Sequence, residues 1–254
     1  MAETPPPTPP PTSPTTAAST DSTPPTPEVG SKVISPTPAT TIRNAKRARL
    51  DREEAYAILD DDVVAHVGFV LDAQPFVIPM VYGRRGDSLF LHGSVATRIM
   101  RALDAGVSAC VTVTKLDGLV LARSHFHHSV NYRCVVALGT ARRLRDDAAM
   151  DAFDVIMEHL MPGRVEEARR ANRPEQRQTM VIEFPLVELS VKVRDGGPVD
   201  DEVDLPDPDE LSDLWAGVVP LRVVAGTPIA DEFTSPNAPL PSAVATGATR
   251  WPAG

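Results

Sequence analysis

This 254-residue sequence has little of several things that usually announce a protein's class. It has two cysteines, Cys110 and Cys134, in apolar strand-like runs and without metal-ligand spacing. They predict buried, reduced thiols and a cytoplasmic protein rather than a disulfide scaffold. Aromatic residues make up 5% of the chain. No apolar run approaches a membrane span, and no apolar segment of a secretion signal opens the chain, so no membrane partner is expected. There is no G-x-G-x-x-G after a strand, no Walker loop, no G-x-S-x-G elbow and no internal repeat, which leaves out the common dinucleotide, nucleotide and hydrolase signatures. A basic excess is also missing: the formal net charge is −9. That argues against nucleic acid as a partner.

The charge is unevenly placed. Residues 195–213 carry nine acids and no base, so residues 42–194 come out at about +2. Proline is plentiful, at 26 residues. It gathers with Thr and Ser in residues 1–41, which predicts a disordered tail, and Pro, Ala, Thr and Ser return in 226–254, a second flexible tail. Residues 42–225 are the expected domain. Arg43, Lys46, Arg47, Arg49 and Arg52 read as a basic entry to the first helix, balanced by Asp51, Glu53 and Glu54.

The domain reads as mainly β with helical insertions. Val63 to Leu71 alternates apolar and polar residues, placing the lone His66 on the polar face. Phe76 to Tyr82 is a second strand, and Pro79 within it predicts an edge, a bulge or a ligand-facing position. Arg85-Gly86-Asp87 reads as a turn. Val107 to Thr114 is a strand, Asp117-Gly118 a hairpin turn, Leu119 to Ala122 its return, and Tyr132 to Leu144 a long strand. Asp146 is expected to cap a helix with a Met150/Phe153/Met157/Leu160 stripe, followed by a short polar helix over 165–171. Strands follow at 179–184, 187–193 and 215–224. Hairpin-connected strands with few helices favour an antiparallel barrel over a doubly wound sheet.

Three stretches could carry chemistry. The first is Leu89-Phe90-Leu91-His92-Gly93-Ser94-Val95-Ala96-Thr97-Arg98, read as strand, glycine turn and helix start with Ser94 as N-cap. Backbone N–H groups, the hydroxyls of Ser94 and Thr97 and the Arg98 guanidinium would converge on an anion, usually phosphate; an ordinary capped helix is the plain alternative. The second is Arg123-Ser124-His125-Phe126-His127-His128-Ser129-Val130-Asn131-Tyr132-Arg133. Its histidines could bind a metal or donate protons near neutral pH. No carboxylate lies nearby in sequence, which weakens the metal reading, and a self-satisfied loop is the alternative. The third is Ser190-Val191-Lys192-Val193-Arg194, where Ser190, Lys192 and Arg194 share one strand face and suit an anion; a solvated face paired with the acidic loop is the competing reading.

In this order, these segments resemble the pyridoxamine 5′-phosphate oxidase-like, FMN-binding split-barrel proteins, in the branch of flavin-nucleotide-binding proteins related to nitroimidazole reductases. The resemblance spans roughly residues 43–225. It rests on Pro75-Phe76-Val77-Ile78-Pro79, Leu91-His92-Gly93-Ser94, Thr112-Val113-Thr114 with Asp117-Gly118-Leu119-Val120-Leu121-Ala122-Arg123, Phe126 to Arg133, Ser190 to Arg194 and Trp215-Ala216-Gly217-Val218-Val219-Pro220-Leu221. It implies a split β-barrel, a homodimer with FMN at the subunit interface, and a small-molecule substrate, with a nicotinamide nucleotide as electron donor. Under it, His92, Gly93, Ser94, Thr97 and Arg98 meet the FMN phosphate and ribityl chain. Ile78, Pro79 and Met80 lie along the isoalloxazine, Thr112 and Val113 sit on the neighbouring strand, Lys192 and Arg194 supply charge, and Trp215 closes the site from the partner subunit. His127, His128 and Tyr132 are the candidate proton donors. Two departures stand out. Ile99 follows Arg98 where the oxidases proper have lysine, and no Arg/His-rich segment follows Val224. The resemblance therefore implies an FMN-dependent oxidoreductase rather than a pyridoxamine phosphate oxidase. A flavin carrier without turnover and a haem-binding or haem-degrading barrel are the alternatives.

Overall fold

The computed structural model describes residues 31–207 and 210–252. Most of the N-terminal tail expected at 1–41 lies outside the described residues. Residues 31–41 are part of the fold: Ile34 is buried and its N–H donates to the Leu50 carbonyl.

The strands are β1 (Ala48–Arg49), β2 (Val64–Leu71), β3 (Gln74–Arg85), β4 (Ser88–Ser94), β5 (Ser108–Leu121), β6 (Ser129–Thr140), β7 (Arg142–Leu144), β8 (Thr179–Pro185), β9 (Glu188–Arg194) and β10 (Gly217–Pro220). The helices are α1 (Arg52–Asp60), α2 (Arg98–Asp104), α3 (Asp146–Leu160), α4 (Arg164–Glu167), α5 (Arg173–Gln178) and α6 (Ser242–Gly247). The strand order is β1-β9-β6-β5-β2-β3-β4-β8-β7, with β10 also on β5, and every pairing is antiparallel. The architecture is therefore mainly β with helical insertions, as expected, in an open rather than closed ring.

β3 belongs to two sheets. Residues 74–81 pair with β2, and 82–85 pair with β4. Pro79 lies in the half with β2 alone as neighbour, which explains how a residue without a donor is tolerated there. The alternation of β2 sends Ala65, Val67 and Phe69 into the core and leaves His66 exposed. β4 is buried on both faces, hence its unbroken Leu89-Phe90-Leu91. Leu89 and Leu91 join the main core with α1 and α2, while Phe90 packs with Ala152 and Ile156 of α3 and Val181 of β8.

Several expectations change. Asp117-Gly118 is not a hairpin turn but a bulge within one continuous β5, between Leu116 and Gly118. The Asp117 carboxylate is held there by Arg133 at 2.9 and 3.0 Å, and β10 packs so close to Gly118 that a Cβ would meet the Val219 carbonyl oxygen at 3.0 Å. The long strand expected from Tyr132 to Leu144 breaks at Ala141, where the chain leaves β5 and β9 to pair with β8. Asp146 does not cap α3; Arg145 holds that position without a side-chain cap bond. Of the expected stripe of α3, Phe153 and Met157 do pack against the sheet, together with Ala149, Ala152, Val155 and Ile156. The polar helix over 165–171 shortens to α4, and the capping box Asn172…Glu175 with Pro174 starts α5, an element the sequence reading omitted. The last strand shrinks to Gly217–Pro220 and leaves Trp215 outside it. In the expected C-terminal tail, α6 docks by Ala243, whose N–H donates to Glu167 Oε1 at 3.1 Å.

Arg52 is a buried anchor rather than a solvated base: it donates to Asp87 Oδ1 at 2.9 Å, to the Leu186 carbonyl at 2.7 Å and to the Ser31 carbonyl at 2.8 Å. Tyr56 also donates to Asp87, so Arg85-Gly86-Asp87 is a structural turn.

Gly83 is where α3 lies against β3. A Cβ there would sit 2.7 Å from the Val155 carbonyl oxygen and from the Ile156 Cα. Gly83→Ala is therefore expected to cost about 1–3 kcal/mol of stability by prising α3 off the sheet. Chemical denaturation checks this, and an unchanged midpoint would contradict the packing described.

Candidate functional site

β4 ends at Ser94, so Gly93 sits in the strand rather than in a turn. Its glycine is required by packing: a Cβ would meet Met100 Cγ at 3.0 Å, with Met80 next. The N-cap of α2 is Thr97, not Ser94. Ser94 organises the loop instead. Its Oγ accepts from Ala96 N at 3.3 Å, and its carbonyl accepts from both the N–H and the hydroxyl of Thr97 at 3.0 and 2.9 Å. The Ser94 hydroxyl proton stays free to donate, whereas that of Thr97 is committed. The first N–H groups of α2 have no intrahelical acceptor. Arg98 is exposed and lies 4.6 Å above the Phe76 ring. Ser94, Thr97 and Arg98 thus stand together at the end of β4, around a solvent-open patch of donors.

The remaining predicted residues divide by strand face. Ile78 and Met80 turn inward and pack at the rim of the core beside Phe76. Pro79 turns outward, opposite His66, which in turn faces Thr112. Lys192 and Tyr132 share that outer face, with the Lys192 Nζ 5.6 Å from the Tyr132 ring centroid. Val113 does not join them: it is fully buried, because alternation along β5 sends it into the core. Arg194 is occupied by Asn131 and by the carbonyls of Gly196 and Gly197 at 2.8 and 3.0 Å, and so fastens the start of the acidic loop.

His92 points away from the inner rim, toward α3. Its ring meets Phe153 edge-on, with centroids 4.9 Å apart, and its buried Nδ1 has no partner among the described residues. Burial holds its imidazole below the usual value, and therefore neutral.

The histidine run lies beyond β5, in a short 3-10 turn over His125–His127. His127 Nε2 is 3.1 Å from Asp201 Oδ2, and His128 Nδ1 is 2.8 Å from the Ser124 carbonyl. Asp200 accepts from the Arg123 N–H at 2.8 Å and from its guanidinium at 2.7 Å. That backbone bond, followed by the guanidinium, holds its carboxyl below the ordinary range. The acidic loop thus pins the histidine turn, a role that the sequence reading did not assign to it. Among the described residues no group of His, Cys, Asp and Glu is arranged to hold a metal ion. Trp215 is 60% exposed beside β10, apart from the Ser94–Arg98 patch in sequence and pairing.

A family model described as pyridoxamine 5′-phosphate oxidase matches residues 51–193. The chain belongs to this split-barrel family. Solved relatives include an FAD and haem binding protein from Mycobacterium smegmatis, 34% identical, with TM-score 0.75 over 80% of this chain and 97% of that one. They also include the flavocytochrome Anf3 from Azotobacter vinelandii, 36% identical, with TM-score 0.77 over 84% of this chain and 98% of that one. No curated protein sequence matches. No helix among the described residues is long and apolar enough to cross a membrane.

Burial of His92, and likewise of His159, makes stability depend on pH. The unfolded imidazoles take up protons near 6.5, and the folded ones resist. Their contribution to stability is complete above that pH and is lost as pH falls toward the depressed folded values. His92→Phe keeps the ring packing and removes one such group. Denaturation midpoints of the variant, between about pH 7.5 and 5.5, should fall less than those of the wild type. Parallel losses would contradict the assignment.

Proposed function

We propose that this protein is a flavoprotein that anchors the flavin phosphate with Ser94 and Arg98 and acts as an oxidoreductase on a small molecule. The observation that carries this reading is the donor patch at the end of β4. A free hydroxyl proton, the first N–H groups of α2 and an exposed guanidinium lie within the five residues Ser94–Arg98, where the family resemblance expects FMN phosphate. The residues present therefore fit the group. The family membership supports the reading, as do relatives described as FAD-binding and as a flavocytochrome.

A bound flavin supplies hydride and one-electron chemistry, here between a reduced nicotinamide nucleotide and an unidentified acceptor. The chain's own residues do the rest. Arg98, braced on Phe76, fixes the phosphate. The Ile78–Met80 segment, free of a second strand neighbour, offers backbone groups to the ring's polar edge. Thr112, Lys192 and Tyr132 present polar atoms on the outer face. Tyr132 is the better-placed proton donor, since it shares that face with Thr112, whereas His128 is held by the Ser124 carbonyl and His127 lies in the turn beyond β5, with its Nε2 3.1 Å from Asp201 but not hydrogen-bonded to it.

The outer face implies a partner. Val64, Val70, Val77 and Leu116 are 37–68% exposed on it, with no layer of the described residues above them. A second copy would cover these apolar groups and complete a site at the interface. Haem is the second reading, favoured by the haem of the Mycobacterium smegmatis relative and by the neutral, unpartnered Nδ1 of His92.

Arg98→Ala should weaken FMN binding to the apoprotein about tenfold or more, measured by quenching of flavin fluorescence. Unchanged affinity would overturn the phosphate assignment. Val70→Glu/Val77→Glu should convert a dimer to a monomer in light scattering. A wild-type monomer, or an unaffected dimer, would overturn the interface.

A further inference from the structure

Every residue from 226 to 240 is exposed, and the stretch has no helix or strand of its own. Irregular stretches of this length are uncommon within a folded domain and are usually either functional or linkers. A linker is free at one end at least, whereas this stretch is fixed at both. Before it, Leu221 N donates to the Asp117 carbonyl at 3.0 Å and Ala225 N to the Trp251 carbonyl at 2.8 Å. After it, α6 is docked through Ala243, and Arg250 lies beside Tyr82 and His159. The two ends are thus tied together, and the residues between them loop out. The loop lies beyond the residues 51–193 that the family model matches.

Its composition is that of a contact surface. Ile229 is 94% exposed and Phe233 86%, and Val223, Val224 and Leu240 are exposed as well. One exposed apolar side chain is ordinary, but a run of them that includes an aromatic marks a surface that binds. Between Ile229 and Phe233 stand Asp231 and Glu232, and no base falls within 226–240. Thr234 braces this turn: its N–H donates to the Asp231 carbonyl at 3.3 Å and its hydroxyl to the Asp231 carboxylate at 2.6 Å. The turn is formed before it meets a partner, which lowers the ordering cost of binding.

The outer face of the sheet has the complementary character. It exposes Val64, Val70, Val77 and Leu116. Its formally charged positions are Glu188, Lys192 and Arg194 of β9, a positive balance. Glu188 accepts from the Thr37 hydroxyl, Arg194 is held by neutral acceptors, and Lys192 lies by the Tyr132 ring without an ion pair among the described residues. The loop also springs from the rim of this face, because the Asp117 to which Leu221 is bonded follows directly on Leu116.

We propose that residues 226–240 form an arm that closes over the outer sheet face of a second copy of this chain. Ile229 and Phe233 rest against the exposed valines of that face, and Asp231 and Glu232 turn toward Lys192. The inference rests on the dimer reading above and names the element that clasps the dimer. The clasp is reciprocal, since a two-fold pair gives each chain one arm and one face. Opposite charge sets the register, and the apolar contacts supply the affinity. Thr112 and Tyr132 stand on the covered face, so the site there is complete only in the dimer.

The test is sedimentation equilibrium of the full chain, wild type against Ile229→Ser/Phe233→Ser. Both side chains are almost wholly exposed, so the variant should keep the wild-type circular dichroism spectrum. The wild type should dimerise, and the dissociation constant of the variant should rise at least about tenfold. Glu232→Lys should weaken the dimer as well, and Lys192→Glu placed in the same chain should recover most of that loss, which a merely structural role for either residue would not produce. An unchanged dissociation constant in the Ile229/Phe233 variant, or a charge swap without loss and recovery, overturns the arm while leaving the dimer reading intact. A monomeric wild type overturns both.

Discussion

The change of partner along β3 is the constraint on which the rest of the structure depends. At Tyr82 the strand leaves β2 and takes up β4, so one chain segment serves two sheets. Tyr82 is fully buried at the changeover and donates to the Leu59 carbonyl, which ties α1 to the same point. One residue on, Gly83 admits the backbone of α3. Two consequences follow. The first half of β3 keeps an unpaired edge at Ile78–Met80, where backbone groups remain available. β4 is clamped between the main core and α3, so its C-terminal end at Ser94 is presented as a rigid edge. A binding patch built on such an edge is better defined than one built on a mobile loop.

Charge placement reinforces this division. The acids of residues 195–213 do not simply form a solvated run. Asp200 reaches back to Arg123 and holds the turn after β5, with Asp201 3.1 Å from His127 Nε2 beside it. Arg52, met in sequence as one of several surface bases, is instead the buried tie between residue 31, the Asp87 turn and Leu186. A buried guanidinium needs such a full set of acceptors, because an unpaired charge in the interior would be costly. With Arg52 buried and others engaged in pairs, Arg98, Arg145, Arg173 and Arg177 are among the exposed arginines without an ion pair among the described residues.

Much of the fold was legible because it rests on local patterns. The alternation of β2 and the extended apolar run Leu89-Phe90-Leu91 of β4 both express side-chain period or backbone restriction. The errors arose where tertiary contacts overrode a local signal. Asp117-Gly118 has the composition of a hairpin turn, yet Arg133 and β10 hold it inside a continuous strand. Ser94 is a good cap by type, but its pairing with Thr179 keeps it in the sheet. Ala141 carries no breaker signal, since the break there reflects a change of partner strand. Val113, which the resemblance set on the strand beside the cofactor, has its side chain on the core face. The candidate patch at Ser94–Arg98 could be singled out because its residues are contiguous. The exposed loop at 226–240 could not, since its Pro, Ala, Thr and Ser composition is that of a flexible tail.

The central claim is that a flavin occupies the end of β4, and the most direct test is the absorbance spectrum of the native purified protein with mass analysis of the chromophore released by acid. The account predicts flavin bands and release of an intact flavin nucleotide. A Soret band without flavin, or a colourless protein that takes up neither FMN nor FAD, would contradict it.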